Sequence, residues 1–174
     1  MITEKNGTFC LETENTSYLF EIMETGHPEH LYYGRKIRFR DTAALREKHP
    51  FAGGNTNYYD AAHKNLGLED VCLEMSAYGK GDIREPFLEV VHADGSFTSD
   101  FLYDSFEITE TKQEQATEFM LPGSYSEDGR VEHLCVRLRD KGYGLLLELH
   151  YFVYPECDVI TRSARLVNGS DEAV

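Results

Sequence analysis

The stretch "VEHLCVRLRDKGYGLLLELHYFVY", Val131 to Tyr154, constrains the fold more than any other part of the chain. In its first arm Leu134, Val136 and Leu138 alternate with His133, Cys135, Arg137 and Arg139. In its second arm Leu145, Leu147, Leu149, Tyr151 and Val153 share a face. Successive side chains of a strand point to opposite faces, so period-two alternation over this length predicts paired strands with one buried side. Lys141-Gly142 stands where the hairpin turns.

Other segments repeat the signal. "SYLFEIM" (Ser17–Met23) and "HLYYG" (His30–Gly34) are short, aromatic and apolar, as strands are. "FLEVVHADGSFTSDFLY" reads as another hairpin, with Asp94-Gly95 in a type I′ turn that needs positive φ at both central residues. "DVITRSARLVNGSDEAV" adds a strand in which Ile160, Ala164 and Leu166 share a face with Arg162, and an arginine there needs a carboxylate or a route to solvent. Asn168-Gly169 then predicts a turn close to the last residue, Val174, so the sheet reads as truncated at its C-terminal end. The fold expected is all-β and antiparallel, in the sandwich class.

One long segment, Arg38 to Met75, has no such periodicity. "DTAALREKH" suits a turn or two of helix capped by Asp41 or Thr42. Long irregular runs inside a domain are often functional. Within this one, "GGNTNYYD" offers Asn55, Asn57 and Asp60 as hydrogen-bonding groups and Tyr58 and Tyr59 as flat faces. Sugar recognition uses that mixture, polar groups for hydroxyls and aromatic faces for the C–H side of the ring.

The charged knot "YGKGDIREP" lacks the Gly-Lys-Ser/Thr ending and following helix of a phosphate loop. It reads better as a corner. Gly79 and Gly81 can take positive φ, and Asp82 can accept backbone N–H groups. Pro86 fixes φ at the start of a strand, Arg84 and Glu85 can pair with groups on neighbouring strands, and the corner is where Arg162 is expected to find its carboxylate. His27 and His30 do not make a metal site, which needs three or four convergent ligands. His133 and His150 lie on opposing arms of one hairpin, where a sugar isomerase would place a pair beside a carboxylate. Cys10, Cys72, Cys135 and Cys157 are too far apart for a CxxC pair. No G-x-S-x-G elbow is present.

Composition narrows the partners. The chain of 174 residues has a formal charge of −14, which repels phosphate backbones and anionic membranes but not neutral substrates. No binding to nucleic acid or membrane is expected. "MITEKNGTF" carries no apolar signal region and no window approaches a membrane span, so the location expected is cytoplasmic.

The segments "HLYYGRKI", "SAYGKGDIREPFLEVVHADGSFTSDF", "LPGSYSE" and "GLLLELHYFVYPECDVITRSARLVN" occur in that order. From about Ser17 onward they resemble the N-terminal region of bacterial α-galactosidases of glycoside hydrolase family 36. The most specific parts are Gly81-Asp82-Ile83-Arg84-Glu85-Pro86 and Asp158-Val159-Ile160-Thr161-Arg162-Ser163. The resemblance implies a β-supersandwich like that of galactose mutarotase domains, followed by a (β/α)8 barrel that carries the catalytic aspartates. It implies no metal or organic cofactor, α-galactoside oligosaccharides as substrates of the whole enzyme, and a homo-oligomer. It also implies a loop, Arg46 to Lys64 here, that shapes the sugar pocket. Some family members place an acidic residue before the aromatic matching Phe51, where this chain has Glu47, Lys48 and His49 at a different spacing, and a basic residue near the loop's end, where it has Lys64. The substrate-binding candidates are Asn55, Asn57, Tyr58, Asp60 and Lys64; the structural corner is Gly81, Asp82, Arg84, Glu85 and Arg162. A free-standing carbohydrate-binding module and a mutarotase-like isomerase are the alternatives.

Overall fold

In the computed structural model, which describes residues 1–40, 42–46, 57–111 and 131–170, eight strands form two antiparallel sheets. The first is a meander of β1 (Ile2–Lys5), β2 (Thr8–Glu12), β3 (Thr16–Ile22) and β4 (Pro28–Arg35). The second runs β5 (Phe101–Thr111), β6 (Val131–Asp140), β7 (Leu145–Tyr154) and β8 (Val159–Asn168). Among the described residues the helical elements are single 3-10 turns at Ala43–Leu45, Leu68–Asp70 and Pro155–Cys157.

The alternation in β6 and β7 faces as expected. Leu134, Val136 and Leu138 join Leu145, Leu147, Leu149, Tyr151 and Val153 in the buried layer. Phe9, Leu11 and Phe20 meet them from the first sheet. The Phe9 and Phe20 rings stack at 4.7 Å, and Phe20 stacks on Tyr151 at 5.4 Å, so one aromatic column ties the sheets together. Each fully buried large side chain of this layer contributes roughly 1.5–3 kcal/mol. The other face of the first sheet is covered as well. Ile37 N–H donates to Ser17 Oγ (3.1 Å) and Arg46 pairs with Glu21, on the face of the sheet that carries buried Cys10 and Leu19.

The type I′ turn expected at Asp94-Gly95 is found at another position. Asn6 (φ 53°) and Gly7 (φ 77°) are both left-handed and join Lys5 to Thr8 directly, which is the type I′ hairpin. At Asp94-Gly95 only the glycine is left-handed (φ 81°). Gly95 N–H donates to the His92 carbonyl (2.8 Å) and His92 N–H to that of Ser96 (2.9 Å), a type I turn followed by a left-handed glycine. Nor do the arms around it form a ladder. Phe87 N–H donates to Ser76, Ser99 N–H donates to Tyr78, and Leu88 bridges Ala77. Both arms make backbone hydrogen bonds to residues 76–78, and across the turn His92 Nε2 lies 2.9 Å from Ser99 Oγ, so the segment is extended chain without a hairpin ladder. Thr42 precedes the first 3-10 turn but makes no side-chain cap; its hydroxyl accepts from Arg46 Nη2 at 3.2 Å. Among the described strands β8 pairs with β7 alone, and its Val159 and Leu166 are exposed.

Candidate functional site

Residues 57–66 close on themselves. Tyr59 N–H donates to the Leu66 carbonyl (2.8 Å), and Leu66 N–H to that of His63 (3.1 Å). Asp60 Oδ1 accepts from the N–H groups of Ala62 and His63, both at 2.9 Å, and lies 2.7 Å from His63 Nδ1. Aspartate in a turn does this because its short side chain reaches the backbone two and three residues on. The His63 hydrogen bond is the main cause that holds the Asp60 carboxyl below its ordinary range. Asp60 therefore shapes the loop with one oxygen, while Asn57, Tyr58 and Lys64 stand exposed. The two tyrosines expected to offer faces divide: Tyr58 is 52% exposed and Tyr59 only 5%. Asn55, Phe51 and residues 47–49 lie outside the described residues.

The corner at 79–84 lies directly beneath this loop. Gly79, Lys80 and Gly81 are all left-handed, with φ of 103°, 56° and 88°. A Cβ on Gly81 would lie 3.3 Å from Asn57 Cβ, and the Lys80 ammonium sits 5.2 Å from the Tyr59 ring centroid. The buried Asp82 carboxylate accepts from Arg84 N–H (3.1 Å), Nε (2.9 Å) and Nη2 (3.0 Å). Arg84 then donates to the carbonyls of Val71 (2.7 Å) and Leu68 (2.8 Å). Gly81, Asp82 and Arg84 thus form one clamp, and the Asp82 hydrogen bond raises the Arg84 pKa. Knot and loop are one packed unit.

Glu85 and Arg162 do not belong to that clamp. Glu85 is exposed, with no ion pair to another described residue. The carboxylate of Arg162 is Glu74, 3.2 Å away, and Arg162 also donates to the Glu74 backbone carbonyl. Glu74 accepts from Tyr18 and from Tyr151 (2.9 Å), with His30 Nδ1 3.3 Å distant. Burial acts to raise its pKa, but the His30 hydrogen bond, the Arg162 charge and the two phenols together lower it. Tyr18 and His30 come from the first sheet, Tyr151 and Arg162 from the second, so one carboxylate gathers two phenol donors, a guanidinium and an imidazole from both sides of the sandwich. A lone Glu74 among 31 acidic residues carries no sequence mark of this.

His133 Nε2 and His150 Nδ1 are 3.0 Å apart, and His150 Nε2 is 3.7 Å from Glu148. The hairpin does bring them together, diagonally, since His150 lies opposite Cys135 and His133 opposite Phe152. Burial is the first cause lowering the His133 pKa to about 4, and it lowers that of His150 too. The two rings satisfy each other on a sheet face. A cavity of about 490 Å³ lies instead between β3 and the loop, walled by Glu21, Arg46, His63, Asn65 and Asp70 among others, with neither His133 nor His150 lining it. Its size and its mixed donors and acceptors suit a small polar ligand. Among the described residues no group of three or more His, Cys, Asp or Glu could hold a metal ion, and no helix is long and apolar enough to cross a membrane.

Comparison with known proteins places this arrangement. The family described as "Glycosyl hydrolase family 36 N-terminal domain" matches residues 26–174. The chain belongs to that family. α-Galactosidase AgaA of Geobacillus stearothermophilus is 30% identical over 165 residues, which are 94% of this chain and 22% of that protein. α-Galactosidase Mel36A of Lactobacillus acidophilus is 29% identical over 98% of this chain and 23% of its own length. The crystal structure of a Lactobacillus brevis α-galactosidase superposes with a TM-score of 0.86 at 32% identity, covering 95% of this chain and 22% of the other. A Geobacillus stearothermophilus AgaA variant solved with raffinose gives a TM-score of 0.85 at 29% identity, over 95% of this chain and 22% of that one. This family 36 N-terminal domain therefore spans less than a quarter of the α-galactosidases it resembles, and it shares its all-β fold with that portion of them.

Proposed function

We propose that this chain is the non-catalytic N-terminal domain of a retaining α-galactosidase that removes terminal α-galactosyl units from oligosaccharides. In this reading a downstream (β/α)8 barrel supplies the catalytic aspartates, and the sandwich supplies a scaffold. The 46–64 loop shapes the galactose pocket and helps assemble a cytoplasmic homo-oligomer. The observation that carries the reading is the superposition of nearly the whole chain on the corresponding fraction of family 36 α-galactosidases. The loop supports it: Asn57, Tyr58 and Lys64 are exposed on a turn whose base is buried and hydrogen-bonded, a rigid mounting for adaptable contacts.

The test is an activity assay on raffinose with the purified chain and with the complete reading frame that carries it. Turnover only by the longer protein is the expected result. Release of galactose by the 174-residue chain alone overturns the proposal. Calorimetry with galactose on the isolated chain separates a free-standing binding module, which binds, from a domain that needs its barrel.

A further inference from the structure

The loop residues are exposed on both sides of Tyr59, yet Tyr59 itself points inward and ends on charge. Its hydroxyl donates to Asp100 Oδ2 at 3.1 Å. The other oxygen of Asp100 lies 3.0 Å from His27 Nε2, and His27 Nδ1 lies 2.9 Å from Thr25 Oγ1. Thr25, His27 and Asp100 are all buried. Asp100 is fixed in turn by the second sheet. Its N–H donates to Asp140 Oδ2 (3.0 Å), and its carbonyl accepts from Lys141 N–H (2.8 Å) at the β6–β7 turn. The Tyr59 ring meets His27 edge-on at 4.9 Å and has the ammonium groups of Lys80 and Lys141 at 5.2 and 5.6 Å.

Nothing in the chemistry of a scaffold requires a phenol to reach a buried carboxylate from the middle of a surface loop. A phenylalanine would fill the same space without an obligation to a partner. The hydroxyl makes the seating directional. Asp100 can satisfy both oxygens only when His27 donates from one side and Tyr59 from the other, because a buried carboxylate left half-paired is costly. The loop is thereby held at one rotation relative to the two sheets. Tyr59 N–H to Leu66 closes the loop on that same residue. Asn57, Tyr58 and Lys64 take their directions from it.

We propose that Tyr59 is a positioning residue: its hydroxyl, seated on the buried Asp100–His27–Thr25 relay, sets the pose in which the loop presents Asn57, Tyr58 and Lys64 to an α-galactoside. The part concerning the sugar rests on the function proposed above; the part concerning the anchor does not. Tyr59→Phe removes one oxygen and leaves the ring, so the variant folds. In the isolated chain, hydrogen exchange of the Tyr59, His63 and Leu66 amides accelerates by about 10- to 150-fold, the range expected when one hydrogen bond to a charged acceptor is lost. Amides of β6 and β7 keep their rates. Tyr143→Phe is the control, since its hydroxyl serves Asp94 at 3.0 Å, outside the loop. In the longer enzyme, Tyr59→Phe raises KM for raffinose several-fold and leaves kcat within about twofold, because binding geometry and not the reacting groups has changed. Loop amides that exchange at the parental rate overturn the anchor. Faster exchange with an unchanged KM keeps the anchor and overturns the loop's part in the sugar pocket. A Tyr143→Phe variant that loosens the loop equally overturns the specificity claimed for Tyr59.

Discussion

Glu74 shows how much one residue can decide. Its carboxylate, buried between the sheets, accepts from two phenols and pairs with Arg162, and each sheet contributes two of its neighbours. Glu74→Gln keeps the volume but removes the charge, leaving Arg162 without its counter-ion. The expected loss is about 2 kcal/mol in urea unfolding, below the ~3–5 kcal/mol for a fully buried pair because Arg162 is partly exposed. The pH dependence has a definite sign. The Glu74 pKa is lowered from 4.5 in the fold, so its stabilisation is complete above pH 4.5 and fades as pH falls through the depressed folded value. Glu74→Gln flattens that acid limb. His133 acts in a different window. With a folded pKa of about 4 against 6.5, it stays neutral while the unfolded chain takes up a proton. Stability contributed by this site is full above pH 6.5 and declines toward pH 4, and His133→Gln removes that decline in melting curves between about pH 7 and pH 4.5. Identical slopes for parent and variant contradict the assignment.

Elements are joined here by left-handed residues, and two glycines separate the possible costs. Gly79 (φ 103°) would place a Cβ 2.7 Å from Thr98 Cγ2, whereas Gly95 (φ 81°) has nothing within 4 Å of that position. Gly95→Ala costs only the backbone strain, about 1 kcal/mol. Gly79→Ala adds a steric clash, for a total of about 2–4 kcal/mol. Urea midpoints measured on both variants decide this, and equal shifts contradict the steric argument. The tight turns obey the same logic. Asn6-Gly7 can close a two-residue turn because both residues accept positive φ, while at 94–95 the chain uses only the glycine.

At the scale of the whole molecule the sandwich, the clamp and the loop are stacked in series. The aromatic column fixes the sheets, the Asp82–Arg84 clamp holds the corner to the carbonyls of Leu68 and Val71, and the loop rests on the corner. Asp82→Ala strands Arg84 and two carbonyls, and lowers stability by about 2 kcal/mol in the isolated chain. Asn57→Ala, on the exposed side, changes stability by less than about 0.5 kcal/mol; under the function proposed above it also alters KM or kcat for raffinose in the longer enzyme. Equal melting-point losses for the two, with unchanged kinetics per folded molecule, contradict this division between support and recognition.

Strand identity in β3, β4, β6, β7 and β8 was legible in the residues because period-two burial is a local property: each side chain's face follows from its neighbours'. The family was legible too, in the Gly81–Pro86 and Asp158–Ser163 segments. The carboxylate that meets Arg162 was not. Thr25, His27, Tyr59 and Asp100 carried no warning of their meeting either, being separated by 73 residues in the case of His27 and Asp100. Nor did alternation reveal that the arms around Asp94-Gly95 make their backbone hydrogen bonds beyond the turn with residues 76–78. Periodicity says which way a side chain faces; it does not say what faces it. Burial makes that second question expensive to answer wrongly, since an unpaired carboxylate or guanidinium inside the sandwich is penalised by several kcal/mol. The partners are therefore chosen by how the two sheets and their connecting segment come together, and only the assembled structure names them.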